Sequence, residues 1–554
     1  MIKYRFLLVS LTIETILGET TIHRRKEKLK QMSSGQDVGD VYATTLERIR
    51  VQNKDRARLG MEAIMWVAYS ERPLKPDELC QALGVEIGSG DLNNDNVPSI
   101  RMILSCGLGL VIVDSSSCRV RLVHFTLQEY ILANPTLFQS PHSMIAEVCL
   151  TYLNFDRIWD LSSTLSSPPP TAPFLEYASC HWGAHARREI GESAIPLALK
   201  LLCGFDGHIS CKLLLSKEYT GWRPFDIEGN PVGFTGLHGG ALLGVLRIIV
   251  SLFTIKKWDL NATDLQGHTA LAWATKKGHD RDVKMLLEQE GVSPDIADNQ
   301  GQTPLSSASY YGWDKIVMML LERNDVNLNT ADINGDTPLL LAAYGESERI
   351  VEMLLEQNGV NPNRADKSGR TLLSWASEEI VKILLERNDV NPNAADERGR
   401  TPLSWAVVGW VYEEDDDYDT EGRTNLAEGE YASERECVIV VKMLLERNDV
   451  NPDMADESGR TPLSWAASHG REEIVKMLLE RSDVNPDALD ERGRTPFSWA
   501  AIYGHAEVGK TLLQSNRVNP DPADKSGRTP LSLAAEHWGF ETMEILLKSR
   551  ALGF

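Results

Sequence analysis

A threonine recurs at a fixed spacing through more than half of this chain. The spacing is 34 residues over the first five positions, and the nine positions are Thr235, Thr269, Thr303, Thr337, Thr371, Thr401, Thr461, Thr495 and Thr529. A constant period of this length is typical of helical units that stack on one another, because each unit can bury its apolar face only against its neighbours. Stacked units act through contact. The period therefore predicts a binding surface in preference to a catalytic pocket.

Each unit has the same internal order, which residues 456–487 illustrate. Asp456 and Gly459 suit a tight turn, because Asp can hydrogen-bond its own backbone and Gly accepts a positive φ. Thr461 then fits a helix N-cap, and Pro462 fits the first helical position, where its missing N–H costs nothing. Gly470 ends this first helix, and apolar residues at i, i+3 and i+4 predict a second helix directly after it.

The unit resembles the ankyrin repeat, whose pattern Asp-x-x-Gly-x-Thr-Pro-Leu-His-x-Ala-Ala is followed by Gly, an apolar second helix ending in Leu-Leu, and Val-Asn. The resemblance covers nine units, about three fifths of the chain, and implies an α-solenoid that binds another protein. One departure is consistent, since the family's His is Ser at 306, 374, 404, 464, 498 and 532. The hydrogen bonds that His makes in the family must here be made differently or lost.

Two units differ in length. The step from Thr371 to Thr401 is four residues short, about one helical turn, which predicts a shortened first helix. The step from Thr401 to Thr461 is 60 residues, which predicts an insertion of 26 at about 411–436. Residues 413–436 hold 11 Asp or Glu and two Arg, which favours a solvated loop. The alternative is a docking site for a basic partner, with anchors at Tyr412, Tyr418 and Tyr431.

A different domain is predicted ahead of the repeats, at residues 40–165. Helical spacing over 41–49 and 57–69, and a helix behind Pro76, precede a strand, a turn and a strand over 108–124. Residues 68–74, 122–131 and 173–187 resemble the winged helix and following helical segment found after the NACHT nucleotide-binding domain in fungal NLR-like proteins. The same winged helix is catalogued as the GPI-inositol-deacylase type. That family has a P-loop NTPase domain upstream, and only some 40 residues precede the match here, so we expect no nucleotide switch.

The predicted fold is mostly α, a winged-helix-like helical domain followed by an ankyrin-repeat α-solenoid. We expect an uncertain segment at 1–39, the winged-helix-like domain at 40–165, a helical connector at 166–230 and ankyrin repeats at 231–554. Residues 6–13 resemble the start of a signal peptide, but Glu14 interrupts the apolar run and no cleavage site follows. The apolar run 236–255 contains Arg247 and keeps the 34-residue phase, so a buried helix pair is expected in preference to a membrane span.

Charge and cysteine content limit the remaining choices. The chain has a formal net charge of −22, and residues 55–160 hold 8 Arg or Lys against 13 Asp or Glu. Phosphate contact needs clustered cations, so we expect no binding of nucleic acid by the winged helix or by the chain as a whole. Eight cysteines without paired spacing indicate reduced thiols. We therefore expect a cytoplasmic protein, with the nucleus as the alternative and secretion disfavoured.

Two motifs suggest chemistry that their context contradicts. Residues 504–511 fit a phosphate-binding loop, but Gly504 aligns with the helix-ending Gly470 and Lys510 with Lys476, so the stretch reads as a helix boundary. Six Cys and His residues between 180 and 211 have no usual zinc spacing. We expect no metal, no cofactor and no catalytic residues.

A tryptophan column runs through the repeats at 273, 375, 405, 465 and 499, where the family usually has a core Leu, so packing between repeats is the favoured interpretation. Partner contact is instead expected seven and eight residues after each repeat threonine and at the turn tips. The predicted first-helix residues are Lys276, Lys277, Tyr310, Tyr311, Tyr344, His469, Tyr503 and His537. The predicted tip residues are Arg370, Arg400, Arg460, Arg494 and Arg528. Aromatic and Arg side chains are the types that carry interface energy.

These expectations combine into a non-enzymatic scaffold or sensor that binds protein partners through the concave face and tips of its solenoid. One alternative is a fragment of a larger STAND or NLR-like NTPase signalling protein whose nucleotide-binding domain is missing from this chain. A DNA-binding regulator is the other alternative, and the acidic charge weighs against it.

Overall fold

A computed structural model describes residues 21–24, 26, 38–162, 165, 167–218, 233–409, 434–515, 517–536 and 543–544. The chain divides into two compact units, Met1–Asn299 and Gln300–Phe554. The first unit contains the N-terminal helices, a hairpin and the first two repeats. The second unit contains the remaining repeats.

The first unit begins with the predicted helices and hairpin. The helices are α1 Val38–Arg50, α2 Lys54–Tyr69, α3 Pro76–Gly84 and α4 Ile100–Cys106. The strands are β1 Val111–Asp114 and β2 Arg119–Leu122, which pair antiparallel with Val111 opposite Leu122, and α5 Phe125–Ala133 follows. Helix α4 is not apparent in the sequence pattern. It begins where the Ser99 side chain accepts the Met102 N–H.

A buried ion pair holds the start of α3. Glu78 is almost fully buried, and the Arg72 guanidinium donates to both of its carboxylate oxygens over 2.8 and 2.9 Å. The Lys75 backbone N–H also donates to Glu78. Although burial opposes ionisation, these donors hold the pKa of Glu78 below its usual value. The carboxylate is therefore ionised, and both of its oxygens accept hydrogen bonds inside the fold.

Five further helices continue the same core. They are α6 Pro141–Leu153, α7 Asp156–Trp159, α8 Leu175–Arg188, α9 Ala194–Cys203 and α10 Ile209–Glu218. The ring of Trp66 on α2 meets Phe174 and Tyr177 edge to face, with ring centres 5.6 and 6.1 Å apart. Because these rings are buried, α2 and the start of α8 share one apolar interior.

The repeats form helix pairs at the predicted threonines. In the first unit they are α11 Gly236–Leu243 with α12 Leu246–Ile255, and α13 Ala270–Lys276 with α14 Asp280–Leu287. In the second unit the first pairs are α15 Pro304–Tyr310 with α16 Asp314–Leu321, and α17 Pro338–Tyr344 with α18 Glu348–Leu355. The later helices are α19 Glu378–Leu385, α20 Pro402–Val408, α21 Glu434–Leu445, α22 Pro462–Ser468, α23 Glu472–Glu480, α24 Pro496–Tyr503, α25 Ala506–Gln514 and α26 Pro530–Glu536.

Two repeats differ in length from the others. In the short repeat, which starts at Thr371, the first helix is reduced to one 3₁₀ turn, Leu372–Ser374, directly before α19, as the missing helical turn predicts. The Thr371 hydroxyl and the Trp375 indole nitrogen are both buried without a hydrogen-bond partner. Residues 410–433, which hold most of the acidic insertion and its three tyrosines, lie outside the described residues.

The predicted substitution of Ser for the family's His has a clear structural consequence. In the first repeat His238 is present, and its Nδ1 contacts Thr235 while its Nε2 contacts the carbonyls of Ala262 and His268. In four of the repeats with Ser at this position, the Ser hydroxyl contacts the hydroxyl of the repeat threonine three residues earlier, as between Thr461 and Ser464 at 3.3 Å. These repeats therefore keep the contact with the threonine, but the shorter Ser side chain does not make the contacts with backbone carbonyls that His238 makes.

Other hydrogen bonds join neighbouring repeats in the second unit. At the tips, one backbone N–H of each turn donates to a carbonyl of the preceding turn, as from Glu457 to Arg398 at 2.9 Å. Gly399 allows this approach, because its φ is 77° and a methyl group there would lie 3.0 Å from the Glu457 nitrogen. At the opposite side, Arg447 donates to the carbonyls of Leu385 and Arg387 of the preceding repeat. Successive repeats are thus fixed at both sides.

Candidate partner-binding surface

The turn tips position four of the five column tryptophans. In the tip that starts at Asp456, one carboxylate oxygen accepts the Ser458 and Arg460 N–H groups, and the other accepts the Trp465 indole N–H at 3.0 Å. The same indole-to-Asp bond occurs for Trp273, Trp405 and Trp499. These four rings are buried, so the predicted packing role is confirmed for them. Burial is the main reason that the pKa of Asp456 is raised.

The five predicted tip arginines lie in contacts within the chain. Arg460 is held between two rings, with its guanidinium carbon 4.6 Å from the Trp465 ring centre and 3.9 Å from that of Trp499. Arg494 is 7% exposed and lies 4.9 Å from the Trp499 ring. The Nε–H groups of Arg370, Arg400 and Arg528 donate to the tip aspartates four residues earlier. Arg370, Arg400, Arg460 and Arg494 each lie over a tryptophan ring, whereas Arg528 pairs with Asp524 and Glu536. Arg494 in particular offers a partner almost no surface.

The predicted first-helix residues divide into exposed and packed groups. Tyr310, Tyr311 and Tyr503 are 48%, 45% and 53% exposed. Tyr344 stacks on Trp375, with ring centres 4.2 Å apart and planes at 9°. The Lys276 ammonium lies 5.8 Å from the Trp273 ring centre, Lys277 caps α13, and His469 contacts the Trp465 carbonyl. His537 lies outside the part of the chain that the structure describes.

The structure adds three residues that the sequence reasoning did not select. Trp313 follows Tyr311 closely and is 37% exposed. Trp375 leaves the tryptophan column, because the missing helical turn gives it a φ of −149° at the end of a 3₁₀ turn. Glu346 has a φ of 53° at the position where Gly312 and Gly470 stand in other repeats. An alignment of the repeats on their threonines shows Glu in place of Gly there, and that signal was available in the sequence.

The suspected phosphate loop is an ordinary helix boundary. Gly504 ends α24 with a φ of 74°, and Gly509 is buried within α25, where a methyl group would meet Phe497 at 3.5 Å. Lys510 forms an exposed ion pair with Glu507 over 3.2 Å. Helix α24, and not a strand, leads directly into Gly504, so the segment lacks the strand–loop–helix order that directs backbone N–H groups at a phosphate.

The Cys and His group is dispersed among core contacts. His185 contacts His142 and Tyr177, each at 2.9 Å, and His208 contacts Ser210 and the Leu153 carbonyl. Burial lowers the pKa of His185 to about 3 and that of His208 to about 4, so both are neutral at physiological pH. In the ranges that the structure describes, no three His, Cys, Asp or Glu side chains come together as metal ligands.

The apolar run 236–255 is broken into two helices. Gly244 ends α11 with a φ of 71°, and α12 begins two residues later. Among the helices of the described ranges, none combines the length and the apolar character that crossing a bilayer requires.

Repeated helix pairs that follow a turn tip, and that are hydrogen-bonded to one another within the second unit, define the class of helical-repeat proteins. Residues 237–332, 283–366, 314–396, 411–490 and 482–552 match the family described as ankyrin repeats (3 copies). The chain belongs to the ankyrin-repeat family. Residues 46–143 match the family described as the GPI inositol-deacylase winged helix domain, which confirms the predicted winged helix. A comparison with curated proteins gave no match.

Proposed function

We propose that this chain is a non-enzymatic scaffold or sensor, and that it binds protein partners through the tips and first-helix ends of its ankyrin repeats. Ankyrin repeats are typical protein-binding modules, and their architecture is typically non-enzymatic. The observation that carries the proposal is the exposure of Tyr310, Tyr311 and Tyr503, which stand seven or eight residues after the threonine of their repeat. Large rings at a fixed phase of stacked units lie at corresponding places, and exposed rings of this kind mark interfaces.

The winged helix supports a signalling setting for this binding. Its match over 46–143 is of the type that accompanies NACHT domains, so a sensor role within an NLR-like system is our second candidate. None of the eight cysteines, all of which lie in the described ranges, forms a disulfide, which supports a reducing, cytoplasmic location. The acidic balance of the chain supports a protein partner over nucleic acid.

Cross-linking with an amine-reactive reagent tests the proposal. The full chain is incubated with cell extract, and cross-links to co-purifying proteins are mapped by mass spectrometry. The repeats contain their own control, because Lys276, Lys367 and Lys525 lie at first-helix ends or tips while Lys382 and Lys442 lie on second helices. We expect cross-links to concentrate on the first group. Cross-links confined to residues 38–218, or equal in the two groups, would contradict the proposal.

A further inference from the structure

Two exposed aromatic rings are in contact where the first helix of the Thr303 repeat ends, and a third exposed ring follows two residues later in the chain. Tyr310 and Tyr311 meet edge to face with ring centres 5.2 Å apart, and Trp313 follows at the start of the second helix. Exposed aromatic rings that lie side by side form the kind of apolar patch that soluble proteins reserve for binding. Tyr503 is equally exposed at the corresponding phase of a later repeat, but it stacks on Trp499 of its own helix.

The patch is continuous with the next repeat. A methyl group on Gly345 would overlap the carbonyl oxygen of Tyr310, which shows how closely the two first-helix ends approach. Asp314 and Arg349 form an ion pair over 3.5 Å between the second helices of the same two repeats. Tyr344 and Trp375 then extend the row of rings into the shortened Thr371 repeat. We call this continuous surface, from Tyr310 to Trp375, the aromatic edge.

Four carboxylates border the aromatic edge. Glu346 and Glu348 follow α17, and Glu378 and Glu379 open α19. Glu346, Glu348 and Glu379 are exposed, and Glu378 is partly exposed. Within the described ranges none of the four enters an ion pair, and the neighbouring Arg349 is engaged by Asp314. Acidic residues in the first turn of a helix interact favourably with the helix dipole. This interaction accounts for Glu348, Glu378 and Glu379, but not for Glu346, which lies outside a helix.

Glu346 has a backbone conformation that disfavours any residue other than glycine. Its φ of 53° is in the left-handed region, and the aligned residues Gly278, Gly312, Gly470 and Gly504 have φ values between 69° and 74°. A non-glycine residue in this region costs stability. The chain thus keeps a carboxylate beside the aromatic edge at a backbone position that favours glycine. The indole nitrogen of Trp375 is buried without a hydrogen-bond partner, which is a second feature of the aromatic edge that lowers the stability of the fold.

We propose that the aromatic edge and its carboxylates bind a lysine- and arginine-rich segment of a partner protein. Unpaired carboxylates attract ammonium and guanidinium groups and repel phosphate, so the charge selects a basic protein segment over nucleic acid. Partly exposed rings bind the same side chains through their aliphatic stems and through cation–π attraction. This inference rests on the proposed function and adds the place of contact and the chemistry of the partner.

A charge-reversal experiment tests the acidic half of the site. The probe is a fluorescein-labelled 12-residue peptide of Lys, Arg and Leu, titrated with the full chain and followed by fluorescence anisotropy, with a Glu-containing peptide of equal length as the probe control. Glu346→Lys with Glu379→Lys should weaken binding by about tenfold or more. Glu386→Lys with Glu446→Lys makes the same charge change on exposed side chains at the opposite ends of second helices, and it should change affinity by less than about twofold. Equal losses from the two variants would overturn the proposal.

A second variant separates binding from folding. Glu346→Gly removes a carboxylate and relieves the left-handed strain, so the protein should be at least as stable while the peptide binds about threefold more weakly. Unchanged binding by this variant would overturn the role of Glu346.

A third comparison tests the rings. Tyr310→Ala with Tyr311→Ala should weaken peptide binding by about fivefold or more, while Phe125→Ala, which removes a 60% exposed ring of α5 outside the repeats, should leave it unchanged. Equal effects of the two changes would overturn the assignment to this edge.

The two proposals fail in different ways. If no basic peptide binds, but partner cross-links still fall on the tips and first-helix ends, the basic-segment inference is wrong and the protein-binding function stands. If the peptide binds at the edge but cell-derived partners cross-link only to residues 38–218, the proposed function of the repeats is wrong.

Discussion

Trp465 and Trp375 occur in the same Ser-Trp-Ala motif, and the structure gives them different energetic roles. The Trp465 ring is 7% exposed, donates to Asp456 over 3.0 Å and contacts the Arg460 guanidinium. Truncation of a buried aromatic side chain to Ala costs about 3–5 kcal/mol, and here it also removes a hydrogen bond from a buried carboxylate. Trp375 is only partly buried, makes no indole hydrogen bond and stacks on Tyr344 alone. We expect Trp375→Ala to cost about 1–2 kcal/mol.

Hydrogen exchange measured by mass spectrometry is the suitable assay, because a chain of several units does not unfold in one step. A loss of about 4 kcal/mol accelerates exchange about a thousandfold, which should appear in α22 and α24 of the Trp465→Ala protein. Trp375→Ala should accelerate exchange in residues 371–385 by about tenfold and leave α22 unchanged. Equal effects of the two substitutions would refute the assignment of Trp465 to the packed column and Trp375 to the edge.

Three further predictions concern stability. Burial raises the pKa of Asp282 to about 7 from 3.8, so the folded state favours the protonated form, and stability falls by about 4 kcal/mol as the pH rises from 4 through 7. Asp282→Asn should remove this loss, and thermal melting at pH 5 and pH 8 measures it; an unchanged slope would contradict the burial effect. Gly399→Ala should cost about 2–3 kcal/mol, because it adds contact with the Glu457 nitrogen to left-handed strain, whereas Gly359→Ala meets no described atom within 4 Å and should cost about 1 kcal/mol. Urea denaturation followed by circular dichroism compares them, and equal costs would contradict the close approach. Arg447→Ala removes donors to Leu385 and Arg387 and should cost about 1–2 kcal/mol, seen as faster exchange at the end of α19. No change there would show that this contact between repeats is dispensable.

The sequence predicts the repeat helices well because their signals are local. Threonine caps, proline at the first helical position and glycine at the helix end each act within one repeat, and the structure has the Thr461 cap and the left-handed Gly470 where the pattern places them. The 34-residue phase also identified residues 504–511 as a helix boundary. These features depend on bonds between residues that are close in sequence.

The contacts that decide the surface depend on neighbouring repeats, and the sequence does not show them. Arg460 is of a residue type that suits a binding tip, yet its guanidinium is held by Trp499 of the following repeat. Trp375 aligns with the buried column, but the four missing residues turn its helix into a 3₁₀ turn and move the ring to the edge. The reach of His238 to the His268 carbonyl likewise depends on how two repeats stack.

The claim that the repeats form the binding surface is tested most directly by the hydrogen-exchange footprint of a captured protein partner on the full chain. Our account predicts protection at first-helix ends and tips, strongest over residues 308–313 and 343–349. Protection confined to residues 38–218, or to the second helices α16, α18 and α19 beyond their first turns, would contradict it.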